Sequence, residues 1–425
     1  MPGMLIVFAA ARVSVGILFV SDVYFPRVNG VSTSIQTFRR DLAAQNCETW
    51  LIAPSYPEAW QDDAGILRQP SRYLVFDPED RVMHGRAAAR AGLALGGRID
   101  AVHIHTPFIA HWVGKKIARE LRVPVLETYH TFFEEYLHHY VPLLPRSIAR
   151  AFARAASLRQ CNAVDAVVAP SRQLADVLVG YGVERPVHVI PTGLNLEEFT
   201  GGDRAAFRAR HGIAADRPVM LLVGRVAHEK NIGFLLRVLA AVRSSVPNVL
   251  FVIAGEGPAR AALRRRVADD GLQGNVLFVG YLDRRTELRD CYRAADVFVF
   301  ASRTETQGLV LLESLALGVP VVSTAVLGTK EVLQGAAGAI VVEEEVGEFA
   351  AAVTRVLTQP DLRTALAAAG RDFVGARWSS GEMARRLLRL YGDVRRVSDE
   401  VPRAAARADA VGLADEERLR DRGGL

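Results

Sequence analysis

Short apolar runs alternate with helix-length segments along almost the whole chain, and this alternation leaves few folds open to it. Runs that read as strands lie near 13 to 20, 48 to 53, 100 to 105, 123 to 128, 164 to 169 and 187 to 190. A second set lies near 218 to 223, 249 to 254, 275 to 279, 297 to 300, 319 to 323 and 339 to 342. Strands separated by helices build α/β layers, so two sets predict two sheets. A chain of 425 residues with 50% hydrophobic content holds two domains of ordinary size. Pro191-Thr-Gly-Leu-Asn195 and the polar run to Asp203 read as the linker, with Pro and Gly as breakers. The predicted domains are therefore 13–195 and 196–377. No period of repeat-protein length accompanies the alternation.

Chemistry concentrates in Ser302-Arg-Thr-Glu-Thr-Gln-Gly-Leu-Val-Leu-Leu-Glu313. Gly308 can open a tight turn, and Leu309 to Leu317 can form a helix whose free N-terminal amides point at an anion. Glu305 then precedes the helix and Glu313 lies within it. The first carboxylate can accept hydrogen bonds from sugar hydroxyls, and the second could reach a ribose diol. Taken alone, the segment fits equally a surface loop entering an amphipathic helix with two solvated glutamates.

A second signal is Leu221-Leu-Val-Gly-Arg-Val-Ala-His-Glu-Lys-Asn231, an apolar strand ending in Gly224 and followed by two cations. The Arg225 fork and the compact Lys230 ammonium suit a diphosphate and can offset charge developing on a nucleotide leaving group. A solvated basic turn is the plain alternative. The only lysines in this arginine-rich chain are Lys115, Lys116, Lys230 and Lys330. The turn at Lys230 is expected to be exposed.

With these residues on the page, the chain resembles the retaining glycosyltransferases of family 4, which have the GT-B fold of two facing Rossmann-like domains with a donor and acceptor cleft between them. The resemblance spans roughly residues 13 to 395. It implies that Arg225 and Lys230 bind the donor diphosphate, that Glu305 holds the sugar, and that Glu313 holds the ribose. Most members carry a Gly-Phe-Gly-like sequence between the glutamates. Here Thr306-Gln307-Gly308 stands instead, which resembles the bacterial branch making glycolipids from diacylglycerol. Gln307, Gly308, Leu309 and Val310 are carried over as donor-binding. Gly280, Tyr281 and Leu282 match the loop that contacts the base, although a plain strand-to-helix turn reads the same way. In the family the last helix crosses back to the first domain, a part that about 378–396 could play.

The amino-terminal half supports the match through Phe19-Val-Ser-Asp-Val-Tyr-Phe-Pro-Arg-Val-Asn-Gly-Val-Ser-Thr33, a strand, a loop and a helix to about Ala44. Gly30 can let the backbone approach a ligand closely. Resemblance makes Asn29, Gly30 and Val31 a site loop over the donor phosphates; without it, any Rossmann unit has a strand, a Gly turn and a helix.

Two histidine-bearing segments, Ala101-Val-His-Ile-His-Thr-Pro107 and Glu127-Thr-Tyr-His-Thr-Phe-Phe-Glu-Glu-Tyr-Leu-His-His-Tyr140, follow apolar strands. Ligands of open α/β sheets bind beyond the carboxyl ends of strands, where His105 and His130 would lie. His130 matches the family's active-site histidine, near the reacting centre. For His105 and His111 a structural role is an equal reading. Metal binding is the competing use, but strand neighbours point to opposite faces and His103 and His105 would need further ligands. No essential metal and no cofactor beyond the nucleotide-sugar substrate is expected.

Cys47, Cys161 and Cys291 are too few and scattered for a disulfide framework or a Cys-rich zinc site, which fits a reducing cytosol. Residues 1–12 read as an extension too short and interrupted to span a bilayer, with a signal peptide as the less favoured reading, and 397–425 as a charged, Ala-rich flexible tail. The net charge of +5 permits an acidic partner without naming one; nucleic acid is not expected. Arg146, Arg150, Arg154 and Arg159 recur at roughly helical spacing with Ile148, Phe152 and Leu158 between them. Two readings of this helix stay open: cations on an anionic leaflet with apolar side chains inserted, or a solvated basic face over a buried apolar one. Tyr136 and its apolar neighbours precede it. The acceptor and membrane side is thus assigned to His105, Tyr136, Arg146, Arg150 and Arg154.

The resulting expectation is a hexosyltransferase moving a sugar, with UDP-glucose as the family-level donor, to a lipid such as diacylglycerol, in the cytoplasm or peripherally on the cytoplasmic face of the inner membrane. A mannosyl or glucosyl transferase of polysaccharide or phosphoinositide synthesis is the alternative acceptor reading. A sugar-nucleotide 2-epimerase shares the architecture, and a noncatalytic sugar-nucleotide sensor would bind the donor and turn nothing over.

Overall fold

The computed structural model describes residues 14–58, 60–74, 77–130, 146–284 and 286–397. The described residues pack as two compact units, one formed by 14–26, 39–127 and 385–397 and the other by 27–38 and 128–384.

In the first unit, β1 (Gly16–Val20), β2 (Glu48–Pro54), β3 (Ile66–Gln69), β6 (Ala101–Ile104) and β7 (Val125–Thr128) lie in the order β3-β2-β1-β6-β7, with every described pair parallel. All five residues of β1 are buried, as expected for a parallel sheet covered on both faces. An antiparallel hairpin, β4 (Ser71–Leu74) with β5 (Asp77–Met83), stands apart. Helical residues 385–397 belong to this unit, and there the Tyr391 hydroxyl and His103 Nδ1 share a 2.6 Å hydrogen bond.

In the second unit, β8 (Ala166–Ala169) and β9 (Val187–Val189) form a parallel pair. A six-stranded parallel sheet follows, in the order β12-β11-β10-β13-β14-β15: β10 (Val219–Val223), β11 (Leu250–Ala254), β12 (Val276–Gly280), β13 (Val297–Phe300), β14 (Val321–Ser323) and β15 (Ala339–Val341). The helix Ile232–Arg243 buries Ile232, Leu235, Leu236, Val238, Leu239 and Val242. Removing one such side chain, as in Leu235→Ala, would cost about 2–5 kcal/mol.

All twelve expected strands are present. The strands not expected are β3, β4 and β5. The edge strand β3 reads Ile-Leu-Arg-Gln, and its Arg68 is not solvated: it pairs with Asp62 at 2.6 Å and donates to the Pro54 and Phe25 carbonyls.

Sheet order places the site. At the carboxyl ends of β10 and β11 the backbones come so close that a Cβ on Gly255 would meet the Gly224 carbonyl oxygen at 2.0 Å. Only glycine allows that approach, which leaves an open floor at the strand ends where α/β ligands bind.

Candidate active site

A cavity of about 330 Å³ in the second unit is lined by Asn29, Gly30, Val31, His130, Arg225, Lys230, Tyr281, Leu282, Glu305, Gln307, Gly308, Leu309, Val310 and Glu313. Residues far apart in sequence, each singled out by its local motif, thus share one wall. Gly280 lies just behind it, its carbonyl accepting the Gly255 N–H at 2.7 Å. Tyr281 is about half exposed at the rim.

Gly308 adopts φ +88° and caps the helix Leu309–Ala316, so the turn needs a residue tolerant of left-handed backbone. The first amides of that helix belong to Leu309 and Val310 in the cavity wall, a geometry suited to an anion. Within the helix, Glu313 is 1% exposed. Arg284 pairs with it through Nη2 and Oε1, and the Tyr292 hydroxyl donates to Oε2 at 2.8 Å. Burial, together with the Glu313 carboxylate, pushes the Tyr292 phenol well above its usual range, so it remains a donor.

Lys230 ends a short 3-10 turn, His228–Lys230, and forms an ion pair with Glu305. The expected exposed turn is therefore half-buried: the Glu305 loop covers it, leaving the Lys230 side chain 19% exposed. Burial pulls the Lys230 ammonium down to about 8, with Glu229 opposing and Arg225 reinforcing the fall. The contact with Glu305 works against that fall by favouring the charged form.

His130 is pushed down to about 3 by burial. Its ring is therefore neutral at physiological pH. The Thr306 hydroxyl donates to its carbonyl at 2.9 Å. Asn29 accepts the Ser32 N–H at 2.8 Å, fixing the start of the helix Gly30–Ala43. Gln307 lines the cavity but is tied to the Thr192 backbone by both of its amide groups, and the Thr192 hydroxyl shares a 2.6 Å hydrogen bond with Ser34. Arg284, Tyr292 and Thr192 were not expected; Arg284 lies two residues beyond the base-loop match and reads in sequence as a charged turn.

Other expected residues lie elsewhere. His105 is 1% exposed in the first unit, its ring 4.9 Å from Phe19 and 4.3 Å from His103. His111 is buried with its Nδ1 2.9 Å from Glu127. Both rings are thus packed within the first unit. Tyr136 lies outside the described residues, as do 1–12 and 398–425. The arginines fall on the helix Arg146–Cys161. Ala153, Ser157 and Cys161 are its buried stripe, whereas Arg150 and Arg154 are exposed and Ile148 and Phe152 are 54% and 63% exposed. Arg154 donates to the Gly180 carbonyl at 3.0 Å and lies over Tyr181. The expected alternative of a buried apolar face does not describe Ile148 and Phe152.

Among the described residues, no group of three or more His, Cys, Asp or Glu is placed to hold a metal ion, and no helix is long and apolar enough to cross a membrane. The described cysteines Cys47, Cys161 and Cys291 are buried, and none of them forms a disulfide.

Two parallel-sheet α/β halves with a carboxylate, cation and helix-amide site define a GT-B glycosyltransferase. Family models agree: "Glycosyltransferase Family 4" matches residues 28–198 and "Glycosyl transferases group 1" matches 203–373. The chain belongs to glycosyltransferase family 4. It is 34% identical to an alpha-monoglucosyldiacylglycerol synthase of Streptococcus pneumoniae over 71% of this chain and 69% of that protein. It is 28% identical to a GDP-mannose-dependent alpha-mannosyltransferase of Mycobacterium tuberculosis over 75% of this chain and 81% of that protein. Among solved structures, sucrose-phosphate synthase of Thermosynechococcus elongatus superposes with a TM-score of 0.73 at 22% identity, covering 90% of this chain and all of that one. Anabaena HepE in complex with UDP-glucose gives 0.70 at 15% identity over 89% and 99%. These structures support the fold.

Proposed function

We propose that this hexosyltransferase transfers glucose, with retention, from UDP-glucose to diacylglycerol at an anionic membrane surface. The observation that carries the reading is the ion pair of Lys230 with Glu305 in one cavity with Arg225, buried Glu313 and the amides of Leu309 and Val310. A donor diphosphate takes Arg225, Lys230 and the helix amides. It competes with Glu305 for Lys230, which frees the Glu305 carboxylate to accept sugar hydroxyls. Glu313 accepts the ribose hydroxyls, and the backbone at Tyr281 and Leu282 borders the base. Neutral His130 and the loop at Gly30 cover the sugar.

In the reaction, the bond from the anomeric carbon to the diphosphate oxygen breaks and a bond to the acceptor oxygen forms on the same face. The acceptor proton passes to the leaving phosphate. Arg225 and Lys230 offset the negative charge that develops there, so no metal is required for this step in our reading. A covalent sugar adduct on an Asp or Glu would overturn the same-face route.

The lipid acceptor is supported by the relative named as a diacylglycerol glucosyltransferase and by the exposed Ile148 and Phe152 flanked by Arg150 and Arg154. Exposed Phe108 and Trp112, with Lys115 5.2 Å from the Trp112 ring, offer similar chemistry on another helix. Such side chains suit peripheral binding at the cytoplasmic leaflet. A mannosyl reading is favoured by the GDP-mannose-dependent relative.

The test incubates the protein with UDP-glucose, UDP-galactose or GDP-mannose, with and without diacylglycerol in mixed anionic vesicles, and measures nucleotide release and lipid-linked sugar. A glucolipid formed only from UDP-glucose with diacylglycerol is expected. Transfer from GDP-mannose, or to a soluble glycan or phosphoinositide alone, would replace donor or acceptor. An altered free sugar without acceptor would indicate epimerisation.

A further inference from the structure

Glu313 combines two properties that rarely coexist: it is 1% exposed, and it borders a cavity that takes a ligand in the reading above. Burying a carboxylate is costly unless opposite charge and hydrogen bonds replace water. Arg284 supplies the charge at Oε1 and Tyr292 the hydrogen bond at Oε2. Each oxygen is thus held by a different partner, one arriving from the loop after β12 and the other from the helix Glu287–Ala294.

An ionised carboxylate has about four lone-pair sites. Arg284 and Tyr292 occupy one on each oxygen. Each oxygen thus keeps acceptor capacity, and two oxygens match the two hydroxyls of a vicinal diol. Arg284 is itself fixed, with its guanidinium carbon 5.6 Å from the centre of the Phe199 ring, and it also lines the cavity.

We propose that Arg284 is a positioning residue for ribose recognition: with Tyr292 it holds the Glu313 carboxylate turned so that both of its oxygens accept the 2′- and 3′-hydroxyls of the donor nucleoside. This rests on the reading of Glu313 as the ribose acceptor. Without the guanidinium, the carboxylate loses its partner at Oε1 and is free to turn, and the paired acceptors are lost. Lysine keeps the charge but not the planar fork, so its effect is intermediate.

The experiment is titration calorimetry of the full chain with UDP against 2′-deoxy-UDP and GDP against 2′-deoxy-GDP, for wild type, Arg284→Met, Arg284→Lys and Tyr292→Phe. Wild type is expected to prefer the ribonucleotide of its donor base by about 10- to 100-fold, the worth of a hydrogen bond to a charged group. Arg284→Met is expected to reduce that ratio to below about threefold, with Arg284→Lys and Tyr292→Phe between. A merely structural role would weaken both nucleotides together and leave the ratio at the wild-type value, and that result overturns the proposal while the ribose reading stands. No ribose preference in wild type overturns both. If Arg284→Met does not fold, unchanged ratios in Arg284→Lys and Tyr292→Phe overturn the proposal and reduced ratios support it.

Discussion

Gln307 and Thr192 bind one another twice, the Thr192 N–H donating to Gln307 Oε1 at 2.9 Å and Gln307 Nε2 donating to the Thr192 carbonyl at 2.5 Å. Both residues are buried. The pair fastens the loop carrying Glu305 to the segment after β9, a tie that a Phe at this position could not make. Gln307→Leu leaves a buried N–H and a buried carbonyl without these partners, at about 1–3 kcal/mol each. At about 2–4 °C per kcal/mol for a domain of this size, the unfolding midpoint should fall by several degrees. Gln307→Glu should fall at least as far, because a carboxylate faces the Thr192 carbonyl. A midpoint unchanged in Gln307→Leu would mean that the pair does not hold the loop.

Lys230 gives the site a pH limb. The ammonium, which burial lowers to about 8, binds a diphosphate only when protonated. Below that pH the charge is complete; above it the charged fraction falls tenfold per unit. The kcat/KM for the donor, which reports ionisation of the free enzyme, should be flat below about 8 and then decline, with pairing to Glu305 shifting the limb upward. Lys230→Arg should remove the limb from the measurable range. Lys230→Ala should lose about 10²–10³ in kcat/KM with the fold retained, as circular dichroism would show. A limb that persists in Lys230→Arg would assign it to another group.

The sequence revealed most where the physics is local. Buried parallel strands read as continuous apolar runs, so β10, β11 and β13 were legible, whereas β3 was not, because Arg68 finds its partners in Asp62 and two carbonyls rather than in its own pattern. Glu305, Gly308, Glu313, Arg225 and Lys230 were legible as short motifs. Arg284 and Thr192 were not: they act through partners 29 and 115 residues away, and no spacing rule reaches that far. The half-burial of Lys230 was missed for the same reason, since the Glu305 loop that covers it lies 75 residues on.

Phe152 and Ile148 test the membrane reading separately from catalysis. Exposed apolar side chains beside Arg150 and Arg154 should insert into an anionic leaflet, with a contribution of about 1 kcal/mol per arginine near the surface. Ile148→Glu with Phe152→Glu should reduce co-sedimentation with phosphatidylglycerol vesicles by tenfold or more, while the affinity for UDP, measured without lipid, stays at the wild-type value. Equal sedimentation of wild type and the double variant would place the membrane contact elsewhere.

Asp22 sets a second pH dependence, in the first unit and on stability. Its carboxylate accepts the Ala110 N–H at 3.1 Å and the Thr106 hydroxyl at 2.8 Å, closing the start of the helix Ile109–Leu121. Burial outweighs these bonds and raises the carboxyl from 3.8 to about 6. Between those values the folded chain keeps a proton that the unfolded chain has released, so this group stabilises most at acid pH and its contribution is lost as pH rises through the window, levelling above about 6. About two units correspond to about 3 kcal/mol. Asp22→Asn removes the titration, and its stability relative to wild type should therefore improve by up to about 3 kcal/mol between pH 4 and pH 7. Urea unfolding at the two pH values measures this; a difference independent of pH would mean that Asp22 titrates as an ordinary carboxyl.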